Sequence, residues 1–172
     1  MRYTYIMKLA PTFSLPDQDG VMHSTKDYRG RWIVLYFYSK DSTPGCTREA
    51  CEFRDEHVII SQFGNAAIIG VSKDSVASHK KFAEQHHLNF PLLSDPTHRV
   101  IESYGAWQKK RFLGRAYMGT QRSTVIINPS GEIAKVYNKV TPKGHAMQII
   151  EDLHSLQDGL INVQSVAKQA WS

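Results

Sequence analysis

The chain has 172 residues, 41% hydrophobic and 10% aromatic, enough for one domain with a real core and too few for two comfortable ones. No apolar run reaches the roughly 18–20 residues that cross a bilayer, and Met1–Met7 lacks the apolar centre of a signal peptide, so neither a membrane nor export is expected. The charge of +5 and pI near 9.2 raise nucleic acid as a partner, but the lysines and arginines are scattered and the densest group, Lys109–Arg115, has no stacking series of aromatics. That segment reads as a solvated loop, with a docking patch for an acidic protein as the second reading, and nucleic acid is set aside.

In chain order, Leu9–Gly20 alternates apolar and polar residues and ends in the turn signal Asp19-Gly20, which predicts an amino-terminal hairpin held to an edge by Pro11 and Pro16. The turn Asp27–Gly30 launches an apolar run, Trp32–Tyr38, expected as a buried strand. A helix is predicted from about Thr43 to Ser61, with Phe53, Val58, Ile59, Ile60 and Phe63 as an imperfect apolar face. Ala66–Ser72 is a second continuous apolar run, as a central strand covered on both sides requires.

An amphipathic helix follows over Ser75–His87, capped by Asp74 or Ser75. Then come a short strand at Phe90–Asp95, a short helix over Thr97–Tyr104 stopped by Gly105, and a hairpin of Arg122–Asn128 with Glu132–Tyr137. The closing helix spans Gly144–Gln157, with Met147, Ile150, Leu153 and Leu156 roughly on one stripe, and the residues up to Ser172 are weakly amphipathic and expected to fray. Alternating strands and helices, then a hairpin and a helix, predict a single three-layer α/β domain over residues 1–172: a mixed sheet with helices on its faces.

Both cysteines, Cys46 and Cys51, lie in the predicted helix that leaves the first buried strand. Two cysteines cannot make a secreted disulfide framework, which points to a reducing cytoplasm. Thr43-Pro44 is a helix-start pair, with threonine at the N-cap and proline at the first helical position. Cys46 then sits in the first turn, where free backbone N–H groups and the helix dipole favour the thiolate. An inert buried cysteine is the plain alternative.

The position of Cys51 weighs against that alternative. Residues i and i+5 of an α-helix stand about 140° apart and roughly 8–9 Å apart by Cα, whereas a disulfide needs Cα atoms within about 7 Å. The pair can bond only if the helix start unwinds, which suits a switch better than a structural crosslink. Cys-x4-Cys also differs from the Cys-x-x-Cys of dithiol oxidoreductases, so one thiol is expected to attack and the other to resolve. A zinc site would need further ligands, and none of the eight histidines falls at finger-like spacing.

Phe37–Asp55 resembles the active-site segment of the peroxiredoxins, and more narrowly of the peroxiredoxin Q group, also called bacterioferritin comigratory proteins. The resemblance continues through Ala10–Gly20, Gly70–Ser75, Phe90–Asp95, Tyr104–Trp107, Gln121–Ile127 and Pro142–His145, and spans about residues 8–157. It implies a thioredoxin-like fold and thiol peroxidase activity. By resemblance, Cys46 is the peroxidatic cysteine of the Thr-x-x-Cys motif and Thr43 offers its hydroxyl to the peroxide. Arg122 comes beside the thiolate, Glu49 orients arginine side chains, and Cys51 matches the resolving cysteine that some members carry.

Pro44 and Gly45 are expected to bind the substrate, Pro44 shielding and shaping the pocket. A permanently charged, planar arginine suits the role assigned to Arg122, and donors are needed where the leaving oxygen gains charge. Ser39 stands where the family usually has proline and Ser42 where an acid is common; neither is expected to supply a catalytic group.

The implied cycle starts with attack of the Cys46 thiolate on hydrogen peroxide or an organic hydroperoxide, leaving a sulfenic acid. Cys51 then closes an intramolecular disulfide, and thioredoxin or a similar dithiol protein reduces it. No metal, flavin or nucleotide is called for, and the resemblance favours a monomer with a part in antioxidant defence and redox homeostasis. Two readings from other classes remain: a redox sensor or holdase using the same disulfide as a signal, and a disulfide oxidoreductase acting on proteins.

Overall fold

The two apolar runs without a polar break become neighbouring central strands. β3 (Trp32–Phe37) and β4 (Ala66–Ser72) pair in parallel with Val34 opposite Ile68, and every residue of both is buried. β5 (Leu92–Ser94) extends the sheet in parallel beyond β4. On the other side β8 (Ser123–Ile127) pairs antiparallel to β3, with Leu35 opposite Val125, and β9 (Ile133–Tyr137) closes the edge. The spatial order is β5-β4-β3-β8-β9. The computed structural model describes residues 8–169, with Phe63 and 160–169 in backbone only. The expectation of no signal peptide at Met1–Met7, and that of fraying at Ala170–Ser172, therefore lie outside the described residues.

Because strand side chains alternate between faces, this sheet divides the core in two. Val34, Tyr36 and Ile68 face a layer made by α1 (Pro44–Asp55), α2 (Val76–His86) and α4 (His145–Gln169), which contribute Phe53, Phe82, Ile149 and Leu153. Ile33, Leu35, Phe37, Ile69 and Val71 face Phe13, Tyr28 and Ile101, the last from α3 (Arg99–Ser103). Gly70 shows how tight the first layer is: a Cβ there would stand 2.8 Å from the Tyr36 ring. That space lets Tyr36 lie against Tyr38 and Phe53 beneath α1.

Several predicted boundaries move, each for a local reason. The amino-terminal hairpin straddles its turn, with β1 (Ser14–Pro16) before it and β2 (Met22–Ser24) after it. The Asp17 carboxylate accepts from the N–H groups of Asp19 and Val21 to hold that turn. The helix predicted to Ser61 is regular only to Asp55 and then widens into a π turn at Ile59–Phe63. The wider turn carries Ile60 into the core and leaves Val58 and Ile59 exposed, which is why the apolar face looked imperfect. Of the two candidate caps for α2, Ser75 is the cap: its hydroxyl accepts from Ser78 N–H at 3.1 Å.

In α4 the predicted stripe holds at Leu153, which is buried, with Ile150 and Leu156 partly buried against the core; Met147 is half exposed, and Ala146 and Ile149 complete the buried face instead. The helix also continues past Gln157 to Gln169, where fraying was expected. The largest correction concerns Lys109–Arg115. Instead of a loop, the chain forms an antiparallel hairpin of β6 (Trp107–Phe112) and β7 (Arg115–Thr120), with Phe112 opposite Arg115. Leu113 and Gly114 make its two-residue turn with φ of 48° and 78°, the left-handed pair that such hairpins require. Nearly every residue of the hairpin is exposed, so no buried face left an alternation to read.

Candidate active site

β3 ends at Phe37, and the five residues from Tyr38 to Ser42 carry the chain across the sheet's end into α1. Asp41 fixes this crossing. Its buried carboxylate accepts from Tyr38 Oη at 2.6 Å and Ser78 Oγ at 2.8 Å, and meets His79 Nδ1 at 2.8 Å. Its own N–H donates to Asp74 Oδ2, which also takes the Ser72 hydroxyl. Burial opposes its charge, but the bonds from His79, Tyr38 and Ser78 hold the carboxyl below the ordinary aspartate range. Among the described residues Asp41, Asp74 and His79 are the group whose donor atoms lie close enough to share a cation. Those atoms are engaged with one another and with the neighbouring hydroxyls and the Leu93 carbonyl.

Ser42 then adopts φ 61°, a left-handed conformation uncommon for a residue with a side chain, and turns the chain into the helix. Thr43 occupies the N-cap with extended backbone, as its sequence position predicts, but its side chain does not cap. The hydroxyl donates to the Lys40 carbonyl at 2.9 Å instead. Pro44 takes the first helical position, so the first turn opens with a residue that has no N–H to satisfy.

Cys46 sits in that turn, 1% exposed. Arg122, entering from just before β8, donates from Nη2 to the Cys46 Sγ at 3.2 Å and from Nη1 to the Glu49 carboxylate. Glu49 lies one turn further along α1 and is equally buried. A Cβ on Gly45 would stand 3.0 Å from Arg122 Nη2, so the glycine admits the guanidinium to the thiol. Pro44, Gly45, Cys46, Glu49 and Arg122 are thus gathered at one spot. Cys51 is on the same unbroken helix, half-buried, and both thiols are free; the helix geometry expected to keep them apart is in place.

Ser39, singled out in the sequence only as a departure from the family pattern and expected to supply no catalytic group, lies against the thiol. Its Oγ lies 3.5 Å from the Cys46 Sγ. It sits seven residues before the cysteine on a different element, and only the fold of the crossing brings it back. Burial resists a thiolate at Cys46, but the hydroxyls of Ser39 and Thr43, the Lys40 backbone and Arg122 outweigh it, so the thiol titrates below its ordinary value. The lowering puts more of Cys46 in the nucleophilic thiolate form than an ordinary cysteine has at the same pH. Replacing Ser39 with alanine should raise the Cys46 titration midpoint and slow alkylation by iodoacetamide at pH 7 about threefold to tenfold. An unchanged midpoint would show that the hydroxyl has no share in it.

Glu49 is shifted the other way. Burial pushes its carboxyl up to about 7 against the pull of Arg122, and its second oxygen, Oε1, has no hydrogen-bond partner among the described residues. Between its ordinary 4.5 and about 7 the folded state holds a proton that the unfolded chain has lost. The stability contributed by Glu49 is therefore full below 4.5 and is lost as pH rises through 7. Cys46, with its depressed value, contributes in the opposite sense: its share is lost as pH falls. Urea unfolding midpoints for Glu49→Gln should lack the decline that the parent shows between about pH 4.5 and 7, and parallel curves would contradict the assignment.

A profile of the AhpC/TSA family matches residues 6–136. The chain belongs to that family. Peroxiredoxin Bcp of Bacillus subtilis is 43% identical over 149 residues, covering 87% of this chain and 94% of that protein. Peroxiredoxin Bcp of Escherichia coli is 40% identical over 137 residues, 80% of this chain and 87% of that one. Among solved structures, the bacterioferritin comigratory protein of Xanthomonas campestris, studied for its alkyl peroxide reduction, has a TM-score of 0.81 at 33% identity over 87% of this chain and 97% of its own. The sheet with helices on both faces is the thioredoxin-like fold of these peroxiredoxins, and the likeness to the peroxiredoxin Q group holds over 87% of the chain. No helix among the described residues is long and apolar enough to cross a membrane.

Proposed function

We propose that the protein is a thiol peroxidase in which Cys46 reduces hydrogen peroxide and organic hydroperoxides and Cys51 resolves the product. The observation that carries this reading is the buried Cys46 thiol with the Arg122 guanidinium 3.2 Å from its sulfur. The Cys46 thiolate attacks one peroxide oxygen, the O–O bond breaks, and the other oxygen leaves with a proton as water or an alcohol. Arg122 faces the charge that develops on the leaving oxygen, and the hydroxyl of Thr43, which donates to the Lys40 carbonyl in the resting site, turns to it once peroxide is bound. Cys46 is left as a sulfenic acid.

The start of α1 then unwinds, and the Cys51 thiolate displaces hydroxide from the sulfenic sulfur. This gives the Cys46–Cys51 disulfide and a second water. A dithiol protein, thioredoxin in our reading, restores both thiols. One of its thiolates opens the disulfide and its second cysteine releases the mixed intermediate, so two electrons pass to the enzyme. We place this cycle in a cytoplasmic monomer serving antioxidant defence, as the family resemblance implies, with no metal, flavin or nucleotide in it.

Mass spectrometry after one equivalent of peroxide tests the scheme. The parent should yield a peptide pair joined through Cys46 and Cys51. Cys51→Ser should instead carry one added oxygen at Cys46 and should recycle with thioredoxin about tenfold or more slowly. A Cys51→Ser enzyme that turns over at the parent rate would place resolution on an outside thiol.

A further inference from the structure

The β6–β7 hairpin is not used by the chemistry above, and its construction is unusual for a piece of surface. It forms its own two-stranded sheet, unpaired with the main one. Its base is fixed: the Trp107 ring stacks on His98 at 4.0 Å with the Lys73 ammonium over it, Thr120 is buried, and Lys110 Nζ donates to the Thr120 carbonyl. Its tip is bare, with Phe112 68% and Leu113 88% exposed and Tyr117 and Met118 about half exposed. An isolated two-stranded ribbon has little stability of its own in water, so a firm base under an apolar tip marks a surface held ready for contact.

Its charge is one-sided. From Ser103 to Gly131 the sequence holds no aspartate or glutamate, while it holds Lys109, Lys110, Arg111, Arg115 and Arg122. Lys109, Arg111 and Arg115 are exposed, and none has an ion-pair or hydrogen-bond partner among the described residues. Alternation along the strands sets Phe112, Tyr117 and Arg115 on one face and Met118, Lys109 and Arg111 on the other, so each face pairs an apolar centre with cations at its margin. β7 ends two residues before Arg122, which touches the Cys46 sulfur. The hairpin's base is thus joined to the site through two residues of chain.

We infer that the β6–β7 hairpin is the docking surface for the reducing dithiol protein, recognised through an apolar patch bordered by carboxylates that meet Arg111 and Arg115. The inference rests on the thiol-peroxidase reading above. A partner with acidic margins would be steered to the cationic ribbon, and the exposed Phe112 and Leu113 would supply the apolar anchor.

The test compares two reductants on the full chain, dithiothreitol and a bacterial thioredoxin with its NADPH-linked reductase. Arg111→Glu/Arg115→Glu and Phe112→Ser/Leu113→Ser should consume peroxide at the parent rate with dithiothreitol. With thioredoxin both should show a KM for thioredoxin raised about tenfold with kcat retained. The charge variant should also lose the parent's decline in kcat/KM with added salt. Variants that match the parent with thioredoxin overturn the docking proposal and leave the peroxidase scheme standing. A parent chain that dithiothreitol recycles and thioredoxin does not overturns the proposal together with the thioredoxin step. A parent dimer that Phe112→Ser/Leu113→Ser converts to monomer in sedimentation would make the occupant a second copy and likewise overturn it.

Discussion

Replacing Arg122 with methionine is expected to cost about 10²–10³ in the rate with peroxide and about 3 kcal/mol of stability at pH 8. Both effects come from one guanidinium with two partners. Nη2 lies 3.2 Å from the Cys46 sulfur, and in the proposed cycle it also meets the leaving oxygen, so its loss would remove a donor aimed at the transition state. Nη1 bonds a Glu49 that is 1% exposed, and without it a carboxylate is left buried and unpaired. The two losses separate experimentally. Because burial already pushes Glu49 up to about 7, the stability loss should shrink at pH 6, where the carboxyl takes up a proton. Arg122→Met/Glu49→Gln should recover most of the unfolding midpoint and none of the rate. A single Arg122→Met variant with parent kcat/KM for peroxide would remove arginine from the chemistry.

Cys46→Ser is expected to abolish peroxide consumption, by about 10⁴ or more, with little change in the unfolding midpoint. The side chain is buried in a site that accepts an atom slightly smaller than sulfur, so packing changes little. What changes is the ionisation. Ser39, Thr43, the Lys40 backbone and Arg122 together bring a thiol below its ordinary value, but a serine hydroxyl starts so much higher that the same surroundings leave it neutral. Stopped-flow loss of peroxide at pH 7 reads the difference directly. Turnover at more than a few hundredths of the parent would mean that another group attacks the peroxide.

The chemistry of this protein is more legible in its sequence than its surface is. β3 and β4 announce themselves as unbroken apolar runs because a strand covered on both faces leaves no polar position. Thr43-Pro44 marks a helix start because proline at the first helical position is a local rule. The approach of Arg122 to Cys46 spans 76 positions along the chain and is reached through resemblance, since no local rule links the two. The contact of Ser39 with the thiol was hidden for a different reason: its hydroxyl meets the sulfur only because Asp41 and the left-handed Ser42 bend the crossing back on itself. The β6–β7 hairpin escaped because periodicity records burial, and a ribbon wet on both faces has none to record.

The polar knot around Asp41 has a consequence for how quickly the enzyme recovers after each oxidation. Tyr38, Ser72, Asp74, Ser78 and His79 hold the chain just before Thr43 without any contribution from α1. At the other end of the segment, Phe53 is clamped in the core against Tyr36 and His145. When the helix start comes apart to bring the two sulfurs together, the slack is therefore a tether of about a dozen residues with both ends pinned. A loop of that length finds its ends in about 10–100 ns, and helix growth adds nanoseconds per residue. Once the reductant has departed, rewinding should be over long before the next peroxide arrives. Rewinding then sets no ceiling on turnover, and any conformational limit lies in the unwinding that must come before the disulfide.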